Sequence, residues 1–159
     1  MKVAVIMGSK SDEEAMLACI QTLKDFGIET EARIYSAHRT PQELAGFLDA
    51  SLASGLKIVI AAAGLAAHLA GVIAAHVTIP VIGVPMDAGP LRGHDALLSM
   101  VQMPPGIPVA TMAIGKPGAI NAALLAVQIL ATADQTLDQK MKDYRKSQKE
   151  KVLSQKVGG

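Results

Sequence analysis

Short β-branched runs closed by glycine or proline alternate with longer helical stretches along this chain, and that alternation restricts the fold more than any other feature. Lys2–Met7 (KVAVIM) reads as a strand ending at Gly8. Ser11–Phe26 reads as a helix, with Ser11 or Asp12 at its cap and Glu13 and Glu14 in the first turn, where the helix dipole favours acids. Gly27 stops it, and Glu29–Tyr35 alternates as a second strand. Pro41 opens a helix that runs to about Ser54, with Thr40 as its cap. Lys57–Ala62 is a continuous apolar run, the pattern of a strand buried on both faces. Ala66–His76 predicts a small-residue helix, Val81–Val84 a strand, Asp95–Gln102 a helix and Val109–Ile114 a fifth strand. Gly118–Ala133 is an Ala/Leu helix and Leu137–Leu153 a charged one.

Strands that alternate with helices predict an α/β fold: a three-layer, doubly wound, flavodoxin-like parallel sheet. The 159 residues suffice for one domain, with a core over 1–133 and a C-terminal helical extension over 134–159. Ligands of such sheets bind beyond the carboxyl ends of the strands. That rule places Gly8–Asp12, Ser36–Arg39, Ala63–His68, Pro85–His94 and Gly115–Gly118 along one rim.

Bulk properties exclude several function classes. Formal net charge is +1, which gives no general attraction to nucleic acid or to a membrane surface. Residues 1–133 hold 8 Lys and Arg against 10 Asp and Glu, whereas 134–159 hold 7 against 4, so the basic character belongs to a solvated helix face. Ile58 to Ala75 carries one ionisable group, but it reads as a buried strand, a turn and a helix rather than a membrane span. The N-terminal apolar run is too short for a signal peptide. A soluble, cytoplasmic protein is expected. Cys19 is the single cysteine, on an apolar helical stretch, so neither a disulfide nor a cysteine metal cluster is expected.

Three stretches of the rim carry chemistry. GSKSD (8–12) follows the first strand, where Gly8 permits a tight turn and Ser9 and Ser11 present hydroxyls beside a helix start that favours an anion. It lacks the glycines of a P-loop or dinucleotide site and suits a single phosphate. Asp12 either caps the helix or accepts from a ribose hydroxyl. SAHRTP (36–41) follows the second strand: Arg39 offers a planar fork for phosphate, Ser36 a hydroxyl, and His38 a proton-transfer group near neutral pH. AAAGLAAHLAG (61–71) lines its loop with small residues that let a flat ligand approach the backbone, and His68 reads as more at home in the helix core than in catalysis. No Gly-x-Ser-x-Gly elbow, His-Glu-x-x-His or carboxylate pair occurs. The expected chemistry runs on positioning and one acid–base histidine, with no metal and no cofactor.

GSKSD, SAHRTP, AAHLAG with the following VIAAH, GVP (83–85), QMPPGIPV (102–109) and AIGKPGAINAALLAVQIL (113–130), taken in order, resemble the N5-carboxyaminoimidazole ribonucleotide mutases of de novo purine synthesis. The resemblance runs from about Lys2 to Leu153. It implies an isomerase, an intramolecular transferase that moves a carboxylate from the exocyclic nitrogen of an aminoimidazole ribotide to the neighbouring ring carbon. The implied course is decarboxylation, retention of carbon dioxide, recarboxylation at carbon and loss of the ring proton. On the matching positions, His38 is the general acid and base. Ser9, Asp12 and Arg39 hold the ribose phosphate, assisted by Ser11 and Ser36. Gly64, Ala66 and His68 border the pocket for the ring and the carboxylate. The resemblance also implies a homo-octamer whose C-terminal helix packs on a neighbouring subunit. Leu65 departs from a frequent glycine, Ala70 from a frequent proline, and Arg92 from a small polar residue.

Two other readings stand beside this one. A related carboxylase would use free carbon dioxide and aminoimidazole ribotide; the apolar VIAAH after AAHLAG is the mutase-like feature. A noncatalytic module that binds a phosphorylated small molecule would tolerate loss of His38.

Overall fold

The computed structural model describes residues 1–155, so the last four residues of the extension lie outside the described residues. Five strands form one parallel sheet: β1 (Lys2–Met7), β2 (Glu29–Ile34), β3 (Leu56–Ala63), β4 (Val81–Pro85) and β5 (Ala110–Thr111). Their order is β2-β1-β3-β4-β5. The helices are α1 (Glu13–Asp25), α2 (Pro41–Ala53), α3 (Leu69–His76), α4 (His94–Val101), α5 (Lys116–Ala131) and α6 (Gln135–Leu153). The doubly wound parallel architecture is the one that the alternating sequence pattern predicts.

The period of two along each strand divides the core. Val3, Val5 and Met7 of β1, with Ile58, Ile60 and Ala62 of β3, face one layer; Ala4 and Ile6, with Val59 and Ala61, face the other. The first layer receives Met16, Cys19 and Leu23, spaced along one face of α1, and the small-residue face Ala119, Ala122, Ala123 and Ala126 of α5. The second receives Leu44 and Leu48 of α2, Leu69 and Ile73 of α3, and Ala96 and Met100 of α4. Each fully buried Ile, Leu or Met contributes roughly 1.5–3 kcal/mol of transfer free energy.

The first half of α6 docks on its own chain. Leu137 and Met141 join the same apolar cluster as Val3 and Val5, and Tyr144 packs on Phe26 with ring centroids 5.7 Å apart. Lys140 Nζ donates to the Phe26 carbonyl at 3.0 Å. Val152 and Leu153, near the far end of the helix, are exposed. No helix among the described residues is long and apolar enough to cross a membrane.

Several boundaries differ from the sequence reading. Ahead of α1, Lys10–Asp12 form a single 3-10 turn. Thr40 does not cap α2 with its side chain; its Oγ1 instead accepts the Ser36 N–H at 2.9 Å and donates to the Ser36 carbonyl at 3.2 Å. The fifth strand shrinks to two residues at the sheet edge, with Met112 N–H still donating to the Gly83 carbonyl at 2.8 Å. α3 begins at Leu69, three residues later than expected.

Candidate active site

The carboxyl ends of β1, β2, β3 and β4 open into one cavity of about 500 Å³. Ser9, Ser11, Asp12, Ser36, His38, Arg39, Gly64, Ala66 and His68 all line it, together with Leu65 and Ala88. Gly115–Gly118, expected on the same rim, does not line it.

The loop after β1 is fixed by its own side chains. Ser9 and Asp12 form a capping box: the Ser9 N–H donates to Asp12 Oδ2 at 3.1 Å, and Ser9 Oγ accepts the Ser11 N–H at 3.3 Å. The Ser11 hydroxyl lies 3.0 Å from Ser9 Oγ and 3.4 Å from Asp12 Oδ1, and its single proton is shared between the two acceptors. Two N–H groups expected to await an anion are therefore already engaged, and the hydroxyls and Arg39 remain the groups suited to one. Asp12 is only 5% exposed, and burial pushes its carboxyl above the ordinary carboxylate range, opposed by the hydrogen bonds from Ser9 and Ser11. Gly8 is not required by backbone conformation, since its φ is not positive. A Cβ there would make ordinary contact with Ala63 Cβ at 3.5 Å. Its carbonyl accepts from Arg39 Nη2 at 3.4 Å, which joins the first loop to the second.

The loop after β2 winds around Ser36. Its Oγ accepts from the His38 N–H at 3.3 Å, the Arg39 N–H at 3.2 Å and Arg39 Nε at 3.3 Å. These contacts use two of the five guanidinium donors of Arg39, counting the one to Gly8.

His68 differs most from its sequence reading. It is not inside the helix and not in the core; it is exposed at the residue before α3. Its Nδ1 lies 2.7 Å from His38 Nε2, with the rings perpendicular and their centroids 4.9 Å apart. A hydrogen bond at that distance requires one of the two nitrogens to carry a proton and the other to accept it; which does so depends on the tautomer. The late start of α3 makes this possible. Leu65 adopts a left-handed backbone, φ 56°, and the Ala67 and His68 N–H groups turn back to the carbonyls of Leu65 and Ala66 at 2.8 and 2.7 Å. Those N–H groups are therefore not available to a ligand, against the expectation of a helix start there. A left-handed leucine costs about 1–2 kcal/mol.

The loop after β4 closes the last side. A Cβ on Gly64 would fall 2.7 Å from Ala88 Cβ, too close for any side chain. Ala88 joins the cavity through this approach, and no chemical signal in its sequence marks it. Cys19 takes no part: burial in α1 pushes its thiol up to about 12, so it stays protonated.

A family model described as AIR carboxylase matches residues 2–151. The chain is 53% identical to the N5-carboxyaminoimidazole ribonucleotide mutase of Brucella melitensis over 150 residues, 94% of this chain and 93% of that one. It is 49% identical to the Escherichia coli K12 protein of the same name, over 96% of this chain and 90% of that one. Its fold superimposes on a crystal structure of Treponema denticola PurE with a TM-score of 0.87 at 32% identity, covering 96% of this chain and 94% of that one.

Proposed function

The chain belongs to the AIR carboxylase family, and from that premise we propose that it is an isomerase of purine synthesis that moves the carboxylate of N5-carboxyaminoimidazole ribonucleotide from the exocyclic nitrogen to the ring carbon. The observation that carries this reading is the His38–His68 pair, 2.7 Å apart on the cavity that also holds Ser9, Ser11 and Arg39.

In this reading Arg39 and the hydroxyls of Ser9, Ser11 and Ser36 grip the ribose phosphate. Asp12, whose two oxygens accept from Ser9 and Ser11, turns remaining acceptor capacity to a ribose hydroxyl rather than to the phosphate, which would repel it. Gly64 and Ala66 let the heterocycle lie against backbone. The nitrogen–carboxylate bond breaks with its electron pair passing to nitrogen, which takes a proton from His38, and carbon dioxide is released as a neutral molecule. The ring carbon then supplies the pair for the new carbon–carbon bond, and His38 takes the displaced ring proton. His68 fixes which His38 nitrogen carries the proton at each stage. The apolar wall of Ala66, Ala67 and Ala88 keeps water from the reacting carbon. The reading needs no metal and no cofactor.

The same reading takes the chain as a cytoplasmic homo-octamer with the outer half of α6 against a neighbour. Val72, Leu91, Leu98 and Val101, each more than two-fifths exposed, are apolar surface that such contacts would cover. Light scattering at micromolar concentration tests it; a monomer mass removes it.

The decisive experiment incubates the protein with the carboxyamino ribotide and follows the absorbance of the carbon-carboxylated product. Product from that substrate without added bicarbonate is expected. Product only from aminoimidazole ribotide and dissolved carbon dioxide makes the chain a carboxylase, and binding without turnover makes it a noncatalytic module.

A further inference from the structure

Helices α2 and α3 share one apolar layer of the sheet, through Leu44 and Leu48 of the first and Leu69 and Ile73 of the second. Both run from the carboxyl edge of the sheet toward its amino edge. His38 stands just ahead of α2, and His68 is the residue before α3. The inner faces of the two helices are anchored, but their facing flanks do not close on each other. A groove of about 200 Å³ separates them, lined by Ala45 and Leu48 on one side and Val72 and Ala75 on the other. The far flank of α3 rests on a flexible side chain, since a Cβ on Gly71 would fall 3.2 Å from Met103 Sδ. α3 is only eight residues long and has no side-chain cap at its start. Packing alone therefore sets its sideways position weakly.

Two polar contacts cross the groove. His38 Nε2 and His68 Nδ1 meet at the cavity end. At the other end His76, the last residue of α3, brings Nε2 to 2.8 Å from Asp49 Oδ1 of α2. With a rise of 1.5 Å per residue, Asp49 lies about 12 Å along α2 and His76 about 10 Å along α3, so the two partners sit at matching depth. Among the described residues no other hydrogen bond joins residues 36–54 to residues 64–77.

We propose that Asp49 and His76 are positioning residues for the proton transfer: their contact holds α3 at the spacing from α2 that keeps His68 within reach of His38. The proposal rests on the mutase reading above. The side chains are 69% and 35% exposed, and so open a pair contributes little to global stability. It can still bias the spacing of two loosely flanked helices. No contact shifts an equilibrium between two spacings by more than its own free energy, so the expected effect is modest.

The test compares the full-length protein with Asp49→Ala, His76→Ala, the double variant and Asp49→Asn. Steady-state conversion of the carboxyamino ribotide is measured, with melting temperature and light-scattering mass read on the same samples. Each alanine variant is expected to lower kcat about threefold to fivefold at nearly unchanged melting temperature. KM is expected to stay within about twofold, because the bonds that hold Ser9 and Arg39 lie among the loops after β1 and β2. The double variant is expected to lose no more than either single one, since both remove the same contact. Asp49→Asn keeps an oxygen for the His76 donor and is expected to retain at least about half of kcat. Unchanged kcat in both alanine variants overturns the proposal, whatever the melting temperature does. So do losses that multiply in the double variant, a rise in KM at constant kcat, or a loss that accompanies a change in assembly mass. Asp49→Asn as impaired as Asp49→Ala also overturns it, because the charge and not the contact would then matter. Absence of any carbon-carboxylated product from the unsubstituted protein sinks the mutase reading itself, a failure visible before any variant is made.

Discussion

The two walls of the cavity are built by different means. The wall from the loops after β1 and β2 is polar, and side-chain hydrogen bonds set its shape: the Ser9–Asp12 capping box, the donors converging on Ser36 Oγ, and Arg39 reaching Gly8. The wall from the loops after β3 and β4 has almost no polar side chain besides His68. It is shaped by close backbone approach at Gly64 and Gly89 and by a leucine in a left-handed conformation. The first wall recognises charge and hydroxyls; the second excludes water and bulk. His38 and His68 join across the divide.

Substitutions separate the two contributions. His38→Asn has the largest expected effect: conversion falls by about 10²–10⁴-fold while ribotide binding, read by calorimetry, persists. Near-normal conversion would move the proton transfer to another group. Arg39→Ala acts on the polar wall and weakens ribotide affinity by roughly 1.5–3 kcal/mol, the value of a hydrogen bond to a charged group. Unchanged affinity would remove its phosphate role.

Gly64→Ala acts on the apolar wall, where the new methyl group meets Ala88, and lowers unfolding free energy by about 1–3 kcal/mol in urea titrations. An unaltered midpoint would show that the loop after β4 yields freely. The smallest effect is Asp12→Asn, read as a shift in melting temperature. Burial raises the Asp12 pKa from its reference of 3.8, so the folded state prefers the protonated carboxyl, and the native protein loses stability as pH rises through the folded value. The amide is therefore expected to melt higher than the native protein at pH 7, with the difference vanishing below about pH 4. A lower melting temperature at pH 7 would make the capping box worth more than the desolvation of the charge.

The polar wall was largely legible in the sequence because its chemistry is local. SAHRTP displays its donors within six residues, whereas the cap expected at Ser11 or Asp12 falls instead on Ser9, two residues earlier, because a 3-10 turn precedes α1. The apolar wall was not. Helix propensity placed Ala66–His68 inside α3, because alanine-rich stretches favour helix wherever nothing opposes them. What opposed them was the backbone at Leu65. Propensity also buried His68, whose pairing with His38 spans 30 residues and depends on how β2 and β3 flank β1. One trace was present: Leu65 and Arg92, two of the departures from the family pattern, are the two non-glycine residues with positive φ among the described residues, at 56° and 48°. A glycine would take either position without strain. Most strands follow the sequence pattern, because β-branched runs bounded by turn residues have few alternatives; β5 is the exception, two residues long although Met112 still donates to Gly83 of β4.

Leu137 and Met141 complete the same apolar layer as Val3 and Val5, which are made long before them. A nascent polypeptide emerging from the ribosome therefore cannot finish covering that sheet face until residue 141 has cleared the exit. Early residues must wait, partly wetted, for the helix that shields them, and truncation anywhere before α6 would leave that patch open to misassociation.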